Sequence, residues 1–124
     1  MSYLITRKEK PSYIQKGLKG YKFHLKNKDL EVYFVDVEKG HDTFIISKKI
    51  THIYYILEGK GYFIIEGEKY YVEPGVVVEV PPNVEYSYSG TMKLILIMTP
   101  PWFEGNEIIV RKNPDVFETS SSNI

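Results

Sequence analysis

The feature that most constrains this chain is a series of short β-branched and aromatic runs, each ended by glycine, proline, asparagine or charged residues. Such runs have the length of strands, and apolar residues rarely recur at helical spacing. The runs cover residues 30–37, 43–47, 50–57, 62–65, 70–72, 76–80, 86–88 and 93–99. No amphipathic segments of helix length alternate with them, which argues against a parallel α/β sheet. The pattern predicts an all-β sandwich or barrel, and 124 residues suit a single domain.

The charge balance and the absence of cysteine exclude several classes of protein. Lysine and arginine number 16, aspartate and glutamate also number 16, and the formal net charge is zero. Proteins that bind nucleic acid usually carry a basic excess, because contacts with phosphate dominate their affinity. We therefore expect no nucleic-acid partner. Without cysteine, the chain has no disulfides and no thiol chemistry.

The apolar segments are too short for a membrane protein. Residues 1–8 lack the basic start and long apolar run of a signal peptide. The longest apolar runs, such as residues 94–98, are far below the length that crosses a bilayer. We therefore expect a cytoplasmic protein that does not bind membranes.

Two segments resemble the conserved motifs of the cupin family. The first family motif reads Gly, five residues, His-x-His, three or four residues, Glu, six residues, Gly. Residues 53–61 resemble the end of this motif, and Gly40 and Gly59 fall at its two glycine positions with the short spacing.

The second motif reads Gly, five residues, Pro-x-Gly, two residues, His, three residues, Asn, and residues 74–83 resemble its first part. Gly75 and Pro81 match this motif. Asn83 stands where glycine is usual, and Gly90 stands where asparagine is usual. Asn83 is a mild departure, because asparagine tolerates the left-handed conformation better than most residues.

The resemblance implies a cupin-type jelly-roll β-barrel in a single domain. On this interpretation residues 1–28 form an N-terminal arm, residues 29–112 form the barrel, and residues 113–124 form a C-terminal tail. Cupin barrels commonly pair, often with an exchanged N-terminal strand. Leu4 and Ile5 would give such a strand something to bury, and an open sheet edge invites pairing. We therefore expect a homodimer.

The positions of the family's metal ligands do not hold metal ligands in this sequence. On the motif count, the positions of the two His, the Glu and the second-motif His are occupied by Ile46, Lys48, His52 and Tyr86. The longer spacing places Ile45 and Ser47 at the first two positions instead. With either spacing, His52 is the one good ligand, so the sequence predicts no bound metal and no cofactor.

Strand alternation predicts which side chains face the barrel interior, because alternate residues share a face. Tyr54 shares the face of His52, Tyr88 shares the face of Tyr86, and Lys48 joins them if the chain stays extended. These five residues predict a pocket of apolar walls with a few convergent polar groups, as in small-ligand sites.

Each residue also has a structural interpretation. His52 is then a satisfied core histidine, Lys48 a solvated surface lysine, and the tyrosines ordinary half-buried strand residues. Trp102 either closes the barrel mouth or fixes the C-terminal arm to the core. His41 is interpreted as part of a capped surface turn.

Three functions remain open at this point. The first is a metal-independent domain that binds a sugar or another polar metabolite, since tyrosines stack on rings and hydrogen-bond through their hydroxyls. The alternative is a metal-independent isomerase or epimerase of a sugar or nucleotide sugar, with His52 as base and Tyr86 as acid. The third is an accessory module whose partner is another protein. Whether the chain is an enzyme stays undecided.

Overall fold

The computed structural model describes residues 3–117, which form nine β-strands and one short helix. The strands are β1 (Tyr13–Gln15), β2 (Leu18–Phe23), β3 (Glu31–Val37), β4 (Thr43–Ser47), β5 (Thr51–Ile65), β6 (Glu68–Val72), β7 (Val77–Val80), β8 (Glu85–Thr99) and β9 (Glu107–Lys112), and the helix is α1 (Pro114–Phe117). In this part of the chain, no helix is long and apolar enough to cross a membrane.

Two long antiparallel strands, β5 and β8, organise the barrel. They pair along their whole lengths, from Thr51 opposite Thr99 to Ile65 opposite Tyr86. One half of this pair is flanked by β3 and β7, and the other half by β4 and β6. β2 and β1 extend the sheet beyond β3, and β9 extends it beyond β4. The predicted all-β, cupin-type barrel is confirmed.

Glycines let β5 and β8 bend from one half of the barrel to the other. Gly61 lies opposite Gly90, and a Cβ atom on Gly90 would lie 2.5 Å from the Gly61 Cα atom. Gly59 has a φ of 81°, and the register shifts between Ile56 and Glu58. The prediction of separate strands over residues 50–57 and 62–65, and over residues 86–88 and 93–99, is therefore wrong, because each pair forms one continuous strand. These glycines mark a bulge and a close backbone approach inside continuous strands.

The interior is filled at one level by apolar side chains and is hollow at another. Ile56, Phe63 and Leu94 have no exposed surface, and the ring of Tyr54 packs edge-on against Phe63 at 5.0 Å between centroids. Tyr54 also lines a cavity inside the barrel, so its ring separates this packed core from the cavity.

Both ends of the described chain pack against the barrel. In the predicted N-terminal arm, β1 pairs with β2, and β2 pairs with β3 of the same chain. In the predicted C-terminal tail, Asn113 and Val116 are buried, and the Asn113 amide donates a hydrogen bond to the Ser87 hydroxyl at 3.0 Å. Residues 118–124 of that tail lie outside the described residues. Exchange of the N-terminal strand stays a prediction.

Candidate functional site

A cavity of about 440 Å³ opens inside the barrel. Strands from both halves of the sheet form its wall, so residues that are far apart in sequence face each other across it. This volume is within the usual range for sites that bind small molecules. Of the predicted site residues, the ones that line it are His52, Tyr54, Tyr86, Tyr88 and Trp102.

Lys48 does not line the cavity, and the prediction that it faces the barrel interior is wrong. β4 ends at Ser47, and the Ser47 hydroxyl bonds the backbone of Ile50, which turns the chain between the two strands. Because the chain is not extended here, strand alternation does not continue across Lys48. Its side chain is exposed instead.

The longer motif spacing describes the barrel interior better than the shorter one. Ile45 is buried and lines the cavity, whereas Ile46 is only half-buried and does not. A register shift between Phe44 and Ile45, where β4 pairs with β9, accompanies this alternation.

Three buried tyrosines form one side of the cavity. The Tyr54 and Tyr86 hydroxyls are 2.5 Å apart, and the Tyr54 and Tyr88 rings meet edge-on at 5.4 Å between centroids. Burial raises the pKa of all three phenols well above the ordinary value. They are therefore neutral hydrogen-bonding groups at neutral pH.

His52 is a buried imidazole with an unpartnered nitrogen. Its side chain is 3% exposed, and its Nδ1 atom has no hydrogen-bond partner among the described residues. Burial, with a smaller effect from the charge of His41, lowers the pKa of His52 to about 4. At neutral pH His52 is consequently uncharged and a weak base.

His41 also lines the cavity, although the sequence suggested a surface turn. Its Nδ1 atom lies 2.8 Å from the Thr43 carbonyl oxygen. The Thr43 N–H lies farther from the same Nδ1 atom, at 3.4 Å. A carbonyl oxygen can only accept, so the shorter contact favours the tautomer with the proton on Nδ1 and a lone pair on Nε2. The His41 backbone N–H donates a hydrogen bond to the Tyr88 carbonyl oxygen at 3.0 Å, which holds the residue beside β8 at the cavity wall.

Two further wall residues escaped the sequence analysis. Glu107 begins β9 at the cavity wall, where its side chain is exposed and makes no hydrogen bond or ion pair within residues 3–117. Partial burial raises the pKa of Glu107, and the charge of His41 acts in the opposite direction. Gln15, in β1, has a buried Oε1 atom without a partner among the described residues. Neither residue belongs to a motif, so only the fold identifies them.

A family model described as a cupin domain matches residues 33–99, more than half of the chain. The chain belongs to the cupin family. No protein of curated function matches this cupin significantly.

Solved structures resemble this cupin over most of its length. A Streptomyces PAC13 variant with uridine has 25% identity and a TM-score of 0.81, over 90% of this chain and 93% of that one. Pac13, described as a unique nucleoside dehydratase, has 25% identity and a TM-score of 0.76, over 87% and 86%. Ectoine synthase from P. lautus has 18% identity and a TM-score of 0.66, over 82% and 81%, and shares the fold alone.

The residues at the cupin metal positions do not fit a divalent metal. The Ser47 hydroxyl is already bonded to Ile50 and to the Asn106 amide, and the Tyr86 hydroxyl is bonded to Tyr54. Of the residues at these cupin metal positions, only His52 has a nitrogen or oxygen atom without a hydrogen-bond partner among the described residues. Within residues 3–117 no three His, Cys, Asp or Glu side chains are grouped to hold a metal.

Proposed function

We propose that this cupin binds a nucleoside in the barrel, without a metal, and eliminates water from it. The observation that carries ligand binding is the cavity itself, whose aromatic wall also carries the polar side chains of His41, His52 and Glu107. Gln15 Oε1 and His52 Nδ1 are buried in this wall without a hydrogen-bond partner among the described residues, which costs about 1–3 kcal/mol each. Rotation of these side chains toward a polar ligand would supply the missing hydrogen bonds.

The nucleoside class is supported by the aromatic wall and by the structural relatives. Tyr33 and Tyr88 line the cavity, and Trp102 lies at its mouth, so a planar base and a sugar can both contact aromatic faces. Both relatives at 25% identity concern nucleosides, one as a complex with uridine and one as a nucleoside dehydratase.

His41 supplies the base and Glu107 the acid for an elimination. In the proposed step, His41 Nε2 removes a proton from a ligand carbon that a neighbouring carbonyl group makes acidic, as in a nucleoside whose sugar is oxidised to an aldehyde or ketone, and that electron pair forms a carbon–carbon double bond. The carbon–oxygen bond on the neighbouring carbon breaks, and the Glu107 carboxyl protonates the leaving hydroxyl, which departs as water. Its raised pKa leaves Glu107 protonated more often than an ordinary glutamate, which favours this role, while its ionised fraction still repels anions.

The isomerase alternative with His52 and Tyr86 is less well supported. The pKa of about 4 makes His52 a poor proton acceptor at neutral pH. The Tyr86 hydroxyl is engaged with Tyr54. We assign His52 to hydrogen bonding with the ligand.

Calorimetric titration with uridine, cytidine, adenosine and guanosine tests this proposal. We expect at least one of them to bind, and His52→Gln and Gln15→Met each to weaken that binding about tenfold through loss of a hydrogen bond to the ligand. Lys48→Met is the matched control, since Lys48 is exposed away from the cavity, and it should bind like the parent.

After incubation with the protein, the nucleoside, or the nucleoside with its sugar oxidised to an aldehyde or ketone, should show the loss of one water molecule by mass spectrometry. Elemental analysis of the active protein should find less than about one-tenth equivalent of Fe, Mn, Zn, Ni or Cu. Failure of every nucleoside to bind, or activity that depends on added metal, would refute the proposal.

A further inference from the structure

The wall of the cavity has an unusual charge composition. It contains two carboxylates, Glu31 and Glu107, and no lysine or arginine among the described residues that line it. Among the described lining residues, the ionisable nitrogen groups are the imidazoles of His41 and His52. Protein sites that bind phosphate usually provide arginine, lysine or a helix N-terminus, because the ligand's negative charge must be compensated.

Glu31 forms an ion pair with Lys22. Its Oε2 atom accepts a hydrogen bond from Lys22 Nζ at 3.0 Å, and its Oε1 atom accepts one from the Trp102 backbone N–H at 3.1 Å. Glu31 lines both the cavity and a neighbouring groove that contains Lys22 and Lys28. The carboxylate therefore stands between these lysines and the cavity and compensates the charge of Lys22.

Glu107 has no ion pair of this kind. Its side chain is exposed to solvent at the start of β9, and its carboxylate forms no hydrogen bond or ion pair with another described residue. An anionic group on a ligand would enter beside this carboxylate without meeting a lysine or arginine. An uncharged ligand would instead offer hydroxyl or N–H donors to it, which is favourable.

We infer that the cavity accepts an uncharged nucleoside and rejects its phosphorylated form, with Glu107 and Glu31 as the residues that determine this specificity. The inference rests on the proposed function, because it concerns the ligand of the same site. It narrows the substrate class to nucleosides whose 5′ position carries no phosphate.

Calorimetry with paired ligands tests the inference. Uridine, cytidine, adenosine and guanosine are each titrated beside their 5′-monophosphates. For the nucleoside that binds best, we expect the monophosphate to bind at least about tenfold more weakly in low salt. High salt should reduce this difference, because screening weakens repulsion between charges.

Two variants separate charge from size. Glu107→Gln removes the uncompensated carboxylate, and Glu31→Gln releases Lys22, so each should reduce the discrimination at least about threefold. Glu79→Gln, an exposed carboxylate on β7 outside the cavity, is the matched control and should leave the discrimination unchanged.

The outcomes are distinguishable. A monophosphate that binds as tightly as its nucleoside overturns the inference and leaves the proposed function standing. Discrimination that both cavity variants retain in full would be steric, and it also overturns the assignment to Glu31 and Glu107. If no nucleoside binds, the proposed function fails and the inference fails with it.

Discussion

The hydroxyl groups of Tyr54 and Tyr86 lie 2.5 Å apart inside the barrel, although 32 positions separate the two residues in the chain. Tyr54 is 2% exposed and Tyr86 is 1% exposed, so neither hydroxyl can exchange this partner for bulk water. The bond therefore links β5 to β8 at the cavity wall and fixes the orientation of both rings.

We predict that Tyr54→Phe and Tyr86→Phe each lower the free energy of unfolding by about 1–2 kcal/mol, because each leaves a buried hydroxyl unpaired. The double variant should lose less than the sum of the two, because it leaves no orphan hydroxyl from this pair. Urea denaturation of the four proteins measures this cycle. Tyr71→Phe, with Tyr71 77% exposed, is the control and should change stability by less than about 0.5 kcal/mol. Strictly additive losses would contradict the prediction.

His52 should make stability depend on pH. Its pKa falls from the ordinary 6.5 to about 4 on folding, so between these values the unfolded chain holds a proton that the folded chain lacks. The free energy of unfolding should therefore fall as pH drops from about 6.5 to about 4, by about 3 kcal/mol from this group. Above pH 6.5 this stabilising contribution is complete.

The difference between the parent and His52→Gln isolates this effect, because other groups titrate in both proteins. Denaturation at a series of pH values should show the parent losing more stability than the variant between pH 6.5 and pH 4. Parallel stability curves for the two proteins would mean that His52 is protonated as easily when folded as when unfolded.

Alternation along β5 and β8 could be read from the sequence because both strands continue unbroken past the predicted site. His52, Tyr54, Tyr86 and Tyr88 therefore reach the cavity as predicted. The prediction failed at Lys48, where a side-chain bond from Ser47 turns the backbone. The alternation of side chains along a strand cannot reveal that turn, because the turn depends on one hydroxyl group and not on a glycine or proline.

The residues that the sequence did not assign to the site reach it through pairing between distant strands. Glu107 faces the cavity because β9 pairs with β4, from Ser47 opposite Glu107 to Thr43 opposite Lys112. Gln15 does so because the hairpin of β1 and β2 joins the sheet beside β3. Neither pairing leaves a local pattern in the sequence, so the contribution of Glu107 and Gln15 to the cavity wall can be recognised only in the folded chain.

His41 should be found in the tautomer with the proton on Nδ1. The 2.8 Å contact with the Thr43 carbonyl oxygen is shorter than the 3.4 Å contact with the Thr43 N–H and favours that proton, and the proposed base is the Nε2 atom. Long-range proton–nitrogen NMR correlations distinguish the two tautomers. The exposed His24 is an internal reference without this carbonyl contact in the described chain.

The His41→Asn variant tests the chemical role of this tautomer. An asparagine amide can still donate to the Thr43 carbonyl oxygen, but it cannot accept a proton from a ligand. We expect turnover to fall at least about 100-fold with ligand affinity nearly unchanged. A proton found on Nε2 in the parent, or an active His41→Asn protein, would remove His41 from the role of base.

The N-terminal residues give a reason to expect a homodimer. Leu4 is 87% exposed and Ile5 is 37% exposed, so packing within one chain leaves Leu4 largely and Ile5 partly in water. A second copy that receives the segment at an open sheet edge would bury it.

Light scattering should then give about twice the 14.5 kDa chain mass, and the double variant Leu4→Ser, Ile5→Ser should give the monomer mass. Ile14→Ser, at an exposed position in β1, is the control for loss of an apolar side chain elsewhere. A parent protein that is monomeric at micromolar concentration would contradict the dimer, and a dimer that survives the double substitution would contradict the role of the N-terminal segment.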